Sequence, residues 1–530
     1  MQGRRWAVLS GTDEMRSEGR RSCNGCSSSS RSPTHRLRPP RMTITMNLDP
    51  ELVLHESVQT ILGNLPCSVA LPAGCGKTEV IAGVAKAVAG RGGSTLILTH
   101  TNTGVDAIRR RLKRFGVATS SVNVTTIDSW SLRLIRSHPQ LADINVPEAP
   151  DWGRAGAYHQ AAARAVGTPP IERMLKASYQ LILVDEYQDC MIDQHELVHA
   201  LSEVIDTAVL GDPLQCLLDF GQQTPVQWPR DVLPVFPEVA VAQHPWRWAT
   251  TNPELGEWLL RIRAPLENGE PIDLDTAPIR WLWSGDHQGI TRACRDADQR
   301  TVAALGHFRQ DCIGRAKLLG GSYFLLEALD EQRIMKFCTV VDTGESGRIT
   351  AATVEFAAGC ATHVSKHVDR KVRDRLHRGG TWRPRTPELK SAAESLDRLA
   401  AHPSPANVRD ALQQLVSMDT ETAVYGQEAF TDVCKALGFA HDQGLTTAQA
   451  LSRIRDQRRR SGRHIRKRVI GRPLLVKGLE YEHAILLDAD RYKTNHLYVA
   501  LTRGSRALTI ASGTRKLNLQ EPGLYRTKHT

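Results

Sequence analysis

Residues 68–89 are the stretch that most narrows what this chain can fold into. A short apolar run, SVALP (68–72), passes through the small-residue turn of LPAGCGKTE (71–79) into TEVIAGVAKAVA (78–89), where apolar residues recur at helical spacing. A strand, a tight turn and a helix in that order gather backbone N–H groups and the positive end of a helix dipole at one point, which is how a backbone holds a phosphate. Gly74 and Gly76 let the chain close around such an anion, Lys77 would reach its outer oxygens, and Thr78 would ligate Mg2+. The strict form of this loop has a glycine where Leu71 stands.

The alternation continues. TLILT (95–99), LILVDE (181–186) and TAVLGD (207–212) are further apolar runs of strand length, with helical spacing between them, as in GVDAIRRRLKRF. Continuous apolar strands interleaved with helices predict an α/β fold with a parallel sheet covered on both faces. A second set begins near RTVAALGHF (300–308) and resumes at HAILLDAD (483–490) and ALTIAS (507–512). With 530 residues and about 150 residues to a domain, more than one core is expected.

A phosphate loop needs an acidic partner on a neighbouring strand. LILVDEYQD supplies two carboxylates in succession, Asp185 to hold the metal through water and Glu186 to polarise the attacking water. Ending a buried strand on two charges is costly unless they serve a cation or a reaction. Loop and acidic pair together predict hydrolysis of a nucleoside triphosphate, with ATP and Mg2+ as cofactors.

Bulk properties exclude other classes. No apolar run reaches the roughly 18 residues that span a bilayer, and the opening residues lack the apolar core of a signal peptide. The 11 cysteines are scattered, several inside apolar runs, the pattern of reduced thiols. These features lead us to expect a cytoplasmic location and no membrane partner. Of the net charge of +11, residues 1–41 supply +6 through nine arginines against three carboxylates. That Ser-, Arg- and Pro-rich segment reads as disordered, either as a basic tail or as residues ahead of a start at Met42 or Met46.

Further motifs follow in order: VLGDPLQCLLDFG (209–221), HPWRW (244–248), KGLEYEHAILL (477–487) and LYVALTRGSRALTI (497–510). Taken with the loop and the acidic pair, they resemble the helicase motifs of superfamily 1, UvrD/Rep type, from about residue 55 to 512. The resemblance implies two RecA-like parallel-sheet P-loop domains with helical insertions and ATP at their interface. It makes Gln215 a γ-phosphate sensor and Arg247 and Arg503 arginine fingers. It also makes Trp246 the adenine-stacking aromatic, which could equally be a core anchor, and Glu480 the ribose carboxylate. Thr101 and Asn102 match residues that contact single-strand phosphates, and Phe220 matches a base-stacking aromatic, with core packing as the other reading. Departures stand beside these. Asp128 replaces a histidine in TTIDSW (125–130), Gly221 an arginine, and Arg472 and Leu474 the usual residues before KGLE.

The expected organisation is a tail, 1–45; a first RecA-like domain, 46–129 and 179–260, with a helical insertion, 130–178; a second, 261–344 and 471–515, with a helical basic insertion, 345–470; and a C-terminal tail, 516–530. Residues 453–472 carry ten basic side chains against Asp456, read as backbone contact to nucleic acid rather than a merely solvated face. The function expected from the resemblance is ATP-driven, 3′ to 5′ movement along single-stranded DNA or a single/double-strand junction. An accessory protein is a candidate partner. The alternatives are a nucleotide-switched ATPase that binds DNA without unwinding it, and a small-molecule phosphotransferase, which would have no use for the KGLE and ALTR segments.

Overall fold

Two all-parallel sheets form the frame. The computed structural model describes residues 49–519 apart from 149, 218–223, 328–330 and 462–465, with the backbone alone at 331 and 456–461. The first sheet contains β1 (Cys67–Ala70), β2 (Thr95–Thr99), β3 (Val122–Thr126), β4 (Leu181–Val184) and β5 (Thr207–Gly211), in the order β1-β5-β4-β2-β3. The inner strands β2, β4 and β5 are buried along their whole length because both faces of the sheet are covered. Leu96 and Leu98 face one core, with Trp130, Tyr158 and Leu197, while Ile97 faces the other, with Val80, Val84 and Ile108.

A two-residue strand, β6 (Ile272–Asp273), precedes the second sheet and pairs antiparallel with β13 (Lys516–Leu517). The second sheet contains β7 (Arg280–Trp283), β8 (Val302–Leu305), β9 (Phe324–Leu325), β10 (Arg468–Gly471), β11 (Tyr481–Leu486) and β12 (Gly504–Ser512), in the order β7-β12-β11-β8-β10-β9. The expected α/β class with two parallel sheets is what the chain adopts. Among the described residues no helix is long and apolar enough to cross a membrane.

Several expected borders move. Helices within 130–178 build no core of their own; Leu134, Tyr158, Ile171 and Leu175 share one with Leu96, Ile182 and Val184 of the first sheet. The helix Pro253–Arg261, expected in the first half, packs Leu255, Trp258 and Leu259 against Leu305, Leu486 and Leu508 of the second sheet. The helical unit begins at Glu331–Thr343, not at 345, since Ile334, Phe337 and Cys338 join its core. The amides of Thr447 and Ala448 fasten that helix by donating to Asp342, at 2.7 and 3.2 Å. The unit ends before 468, because β10 lies beside β8 in full register. Leu517 is buried in the fold, so the expected tail from 516 begins with a paired strand. The expected tail over 1–45 lies outside the described residues.

Candidate functional site

Lys77 and Thr78 after β1, Thr101 and Asn102 after β2, Asp185 and Glu186 after β4, and Gln215 after β5 all follow the C-terminal end of a strand, the edge at which parallel α/β sheets bind ligands. After β1 the chain stays in the core for one more residue. Leu71 is 1% exposed, and its amide donates to Gly211 O at 2.9 Å. An apolar side chain in place of the usual glycine therefore extends the strand.

The turn then closes through Gly74 (φ +75°) and Gly76 (φ +86°), the residue before the helix Lys77–Gly90. A Cβ on Gly74 would lie 2.6 Å from the Trp248 ring, and one on Gly76 2.9 Å from Trp246. These positions take neither the backbone angle nor the volume of another residue. Gly74→Ala is expected to cost about 1–3 kcal/mol of stability, whereas Gly90→Ala, with open space around its Cβ, should lose none. Urea denaturation midpoints compare the two.

Lys77 Nζ lies 3.1 Å from Asp185 Oδ1 and 2.7 Å from Glu186 Oε1. Thr78 follows it, half-buried, on the first turn of the helix. Asp185 is buried, and burial, with Glu186 beside it, pushes its carboxyl up against the pull of Lys77. Burial would raise Glu186 as well, but Lys77 and Lys477 outweigh it and hold the carboxyl down at about 2. Glu186 has a left-handed backbone, φ +55°, which costs strain in a non-glycine residue. Its side chain is 33% exposed, enough for water to reach it. Gln188 Nε2 donates to Glu186 Oε2 at 2.6 Å, and Gln188 Oε1 accepts from the Asp212 amide at 2.9 Å.

From Asp212 the network crosses to the second sheet. Its Oδ2 accepts from Ala73 N (2.9 Å) in the phosphate loop and from Gln215 Nε2 (2.8 Å). Its Oδ1 lies 2.8 Å from the Arg263 guanidinium. Gln215 Oε1 accepts from Arg503 Nη2 at 3.3 Å. Arg503 is 1% exposed and also donates to Val499 O and Leu479 O. Burial and the neighbouring Arg247 pull it down to about 10, which leaves it charged at neutral pH. Arg247 donates to Thr502 O (2.7 Å) and pairs with Glu480 (2.6 Å), while its own amide donates to Gly74 O at 3.2 Å. Lys477 of KGLE spans both halves, 2.6 Å from Asp189 Oδ1 and from Gln215 O. Direct contacts thus group Lys77 with Asp185 and Glu186, Gln215 with Arg503, and Arg247 with Glu480; Gln188 and Asp212 link the first group to the second, and Thr502 O links the third to the segment that carries Arg503. Trp246 lies against Gly76.

Sequence reading missed Arg263 and Tyr498. Arg263 pairs with Asp212 and Glu267 and donates to Tyr498 Oη at 2.9 Å; that hydroxyl accepts from Ala73 N at 3.1 Å. Both side chains are buried. Arg263 stands in RIRAPL, without a spacing that any chemistry requires, so no sequence signal pointed to it.

The nucleic-acid candidates divide. Thr101 and Asn102 are exposed at the start of the helix Asn102–Arg114, after β2, and Thr101 Oγ1 caps it by accepting from Gly104 N at 3.0 Å. Phe220 and Gly221 lie outside the described residues. Within the basic run, Arg472 pairs with the buried Glu327 (3.0 Å), and Arg468 donates to Cys294 O and Ala297 O. These two hold the fold together, contrary to the expectation that the whole run faces nucleic acid. Leu474 is exposed.

Asp128, the departure in TTIDSW, has a partner that sequence reading missed. His159 is buried between Asp193 (2.5 Å) and Asp128 (2.9 Å). Burial alone would lower its pKa, but the two carboxylates raise it to about 9. A histidine whose pKa rises on folding stabilises fully below its unfolded value, near 6.5, and that contribution disappears as pH climbs through about 9. On the order of 3 kcal/mol is at stake. The urea midpoint is expected to fall between pH 7 and 9.5, and His159→Gln should flatten that fall.

Comparison with known proteins gives one family match: the AAA domain, over residues 55–220. That span holds the phosphate loop, Asp185, Glu186 and Gln215. No curated protein matches the chain. Among solved structures it is similar to the Pif1 helicase from Candida albicans, at 10% identity and a TM-score of 0.30, over 52% of this chain and 55% of that one. The chain thus spans little more than half of that helicase. The family match and the two parallel sheets together give an α/β chain that is similar over residues 55–220 to the AAA domain.

Proposed function

We propose that this chain is an ATP-dependent translocase of single-stranded DNA, a helicase of the superfamily 1 kind, with ATP and Mg2+ bound where the two sheets face each other. The observation that carries the reading is the contact chain Ala73–Asp212–Gln215–Arg503, which ties the phosphate loop to an arginine of the second half. A buried cation at that point suits an anion shared between the halves.

The residues present fit the nucleotide. Gly74 and Gly76 leave a cradle that a Cβ would fill, and Lys77 and the first turn of its helix offer cationic and N–H donors. Thr78 and Asp185 provide the hard oxygens that Mg2+ takes. Trp246 would take the base and Glu480 the ribose. Bound ATP supplies a phosphoanhydride whose cleavage removes the γ-phosphate.

Lys77 pairs with Asp185 and Glu186, so a phosphate must compete for it. Once Lys77 turns away, Glu186 loses the contact that most depresses it and becomes a better proton acceptor for water. Arg247 and Arg503 steady the charge that develops, and Gln215, held between Asp212 and Arg503, passes the change to the second half. Thr101 and Asn102 hold strand phosphates on the first half. Closing and opening the cleft then shifts the strand, 3′ to 5′ by the resemblance, within the cytoplasm.

The test is ATP turnover with and without single-stranded DNA, together with displacement along strands blocked at one end. A translocase is stimulated many-fold and stops at the block. Unstimulated turnover with tight binding instead makes the chain a nucleotide-switched binding module.

A further inference from the structure

Away from the cleft, a cavity of about 380 Å3 opens between the helix Arg309–Leu318, beside the second sheet, and the helices Glu331–Thr343, Ser346–Cys360 and Arg370–His377 of the helical unit. We propose that it binds a phosphate-bearing anion of about nucleotide size, either a free polyphosphate or the phosphorylated end of a nucleic acid.

Charge is the first reason. Arg309, Lys317, Arg333 and Arg373 line the cavity, and among the described lining residues Glu355 is the one carboxylate. Glu355 engages Arg333 at 3.3 Å. Cations gathered in one concavity repel each other unless an anion joins them.

Unmet hydrogen bonding is the second. Arg373 Nε is shielded from solvent without a hydrogen-bond partner, a costly state for a guanidinium donor. Lys317 is held by the Tyr425 ring, its Nζ 5.1 Å from the centroid, and Tyr425 is fixed by donating to Gly359 O at 2.7 Å. Lys317 is thus oriented by a ring contact although it is exposed, and Arg373 by its partly buried position.

Size and chemistry select the ligand. The volume falls at the lower end of small-ligand pockets, about 300–1,000 Å3. A carboxylate brings one charge and two acceptor atoms, fewer than a wall carrying Lys317, Arg333 and Arg373 can engage. Phosphate groups bring more charge and several acceptors, matched to the guanidinium fork. None of these residues belongs to the ATP site, and because the walls come from two structural units, a bound anion would brace the helical unit against the second sheet.

The experiment uses the full chain carrying Lys77→Ala, which weakens phosphate binding at the loop. Inorganic triphosphate is titrated calorimetrically without Mg2+, and 5′-phosphorylated and 5′-hydroxyl oligonucleotides are compared by anisotropy. Adding Lys317→Gln and Arg373→Gln is expected to weaken the phosphate probe that binds by about tenfold or more. Adding Arg348→Gln and Lys435→Gln, exposed cations elsewhere on the helical unit, should leave it unchanged. Response to triphosphate assigns a free polyphosphate; a 5′-phosphate preference that vanishes in the variant assigns a nucleic-acid end. If neither probe depends on Lys317 and Arg373, the proposal is overturned. Should that pair unfold the chain, Arg309→Gln is measured in the same way and decides.

Discussion

Glu186→Gln is expected to lower DNA-stimulated ATP turnover by about 10²–10⁴-fold, the usual worth of a positioned general base, while single-strand binding stays near that of the unaltered chain. The substitution keeps the shape of the side chain and removes only its charge, so what it costs is the ability to take a proton from water. Gln188 donates to Glu186 and accepts from the Asp212 amide, which leaves the side chain held in place. The DNA candidates Thr101 and Asn102 lie at a different strand end, after β2, so anisotropy with a labelled oligonucleotide should change little. Lys77→Ala should also abolish turnover, through lost phosphate binding. Phosphate release near normal in both variants would refute the assignment of the hydrolytic site.

Arg503→Gln is expected to lower turnover by about 10³–10⁵-fold if the residue acts as an arginine finger. Arg503 is buried and stays charged despite a pKa drawn down to about 10. A buried cation is costly to keep, and here it is held by neutral groups, Val499 O, Leu479 O and Gln215 Oε1. That arrangement leaves charge available for an anion. Glutamine preserves some of these hydrogen bonds and removes the charge, so ATP affinity should fall far less than the maximal rate. Urea midpoints check that the variant is folded. Equal losses in affinity and in unfolding free energy, with the maximal rate intact, would make Arg503 a structural residue.

The division between what the sequence disclosed and what it hid has a physical basis. Strands buried on both faces, such as TLILT and TAVLG, are continuous apolar runs, and the glycine turn at 71–79 has few conformations open to it, so both could be read directly. β7 could not: RWLW is an edge strand, half-exposed, with a basic residue at its start. β10 hid behind the basic run that precedes it, and β9 is only two residues long. The border at 331 was hidden because amphipathic spacing does not reveal which core a helix joins. Lys77, Asp185, Glu186, Arg247 and Arg503 stand in ordered motifs, so they could be named as candidates from the sequence. Arg263, Tyr498 and His159 were missed because they act through partners far away in sequence, and pairings such as His159 with Asp128 and Asp193 exist only in three dimensions.

The most direct measurement is an experimental structure with Mg2+, ADP and a planar or tetrahedral fluoride mimic of the γ-phosphate. Lys77 and Arg503 should touch the same mimic, Lys77 having left Glu186 and Arg503 having turned from Gln215 or shared it. A mimic held by Lys77 alone, with Arg503 still bound to Gln215, the Thr502 hydroxyl and the backbone of Leu479 and Val499, would contradict the account.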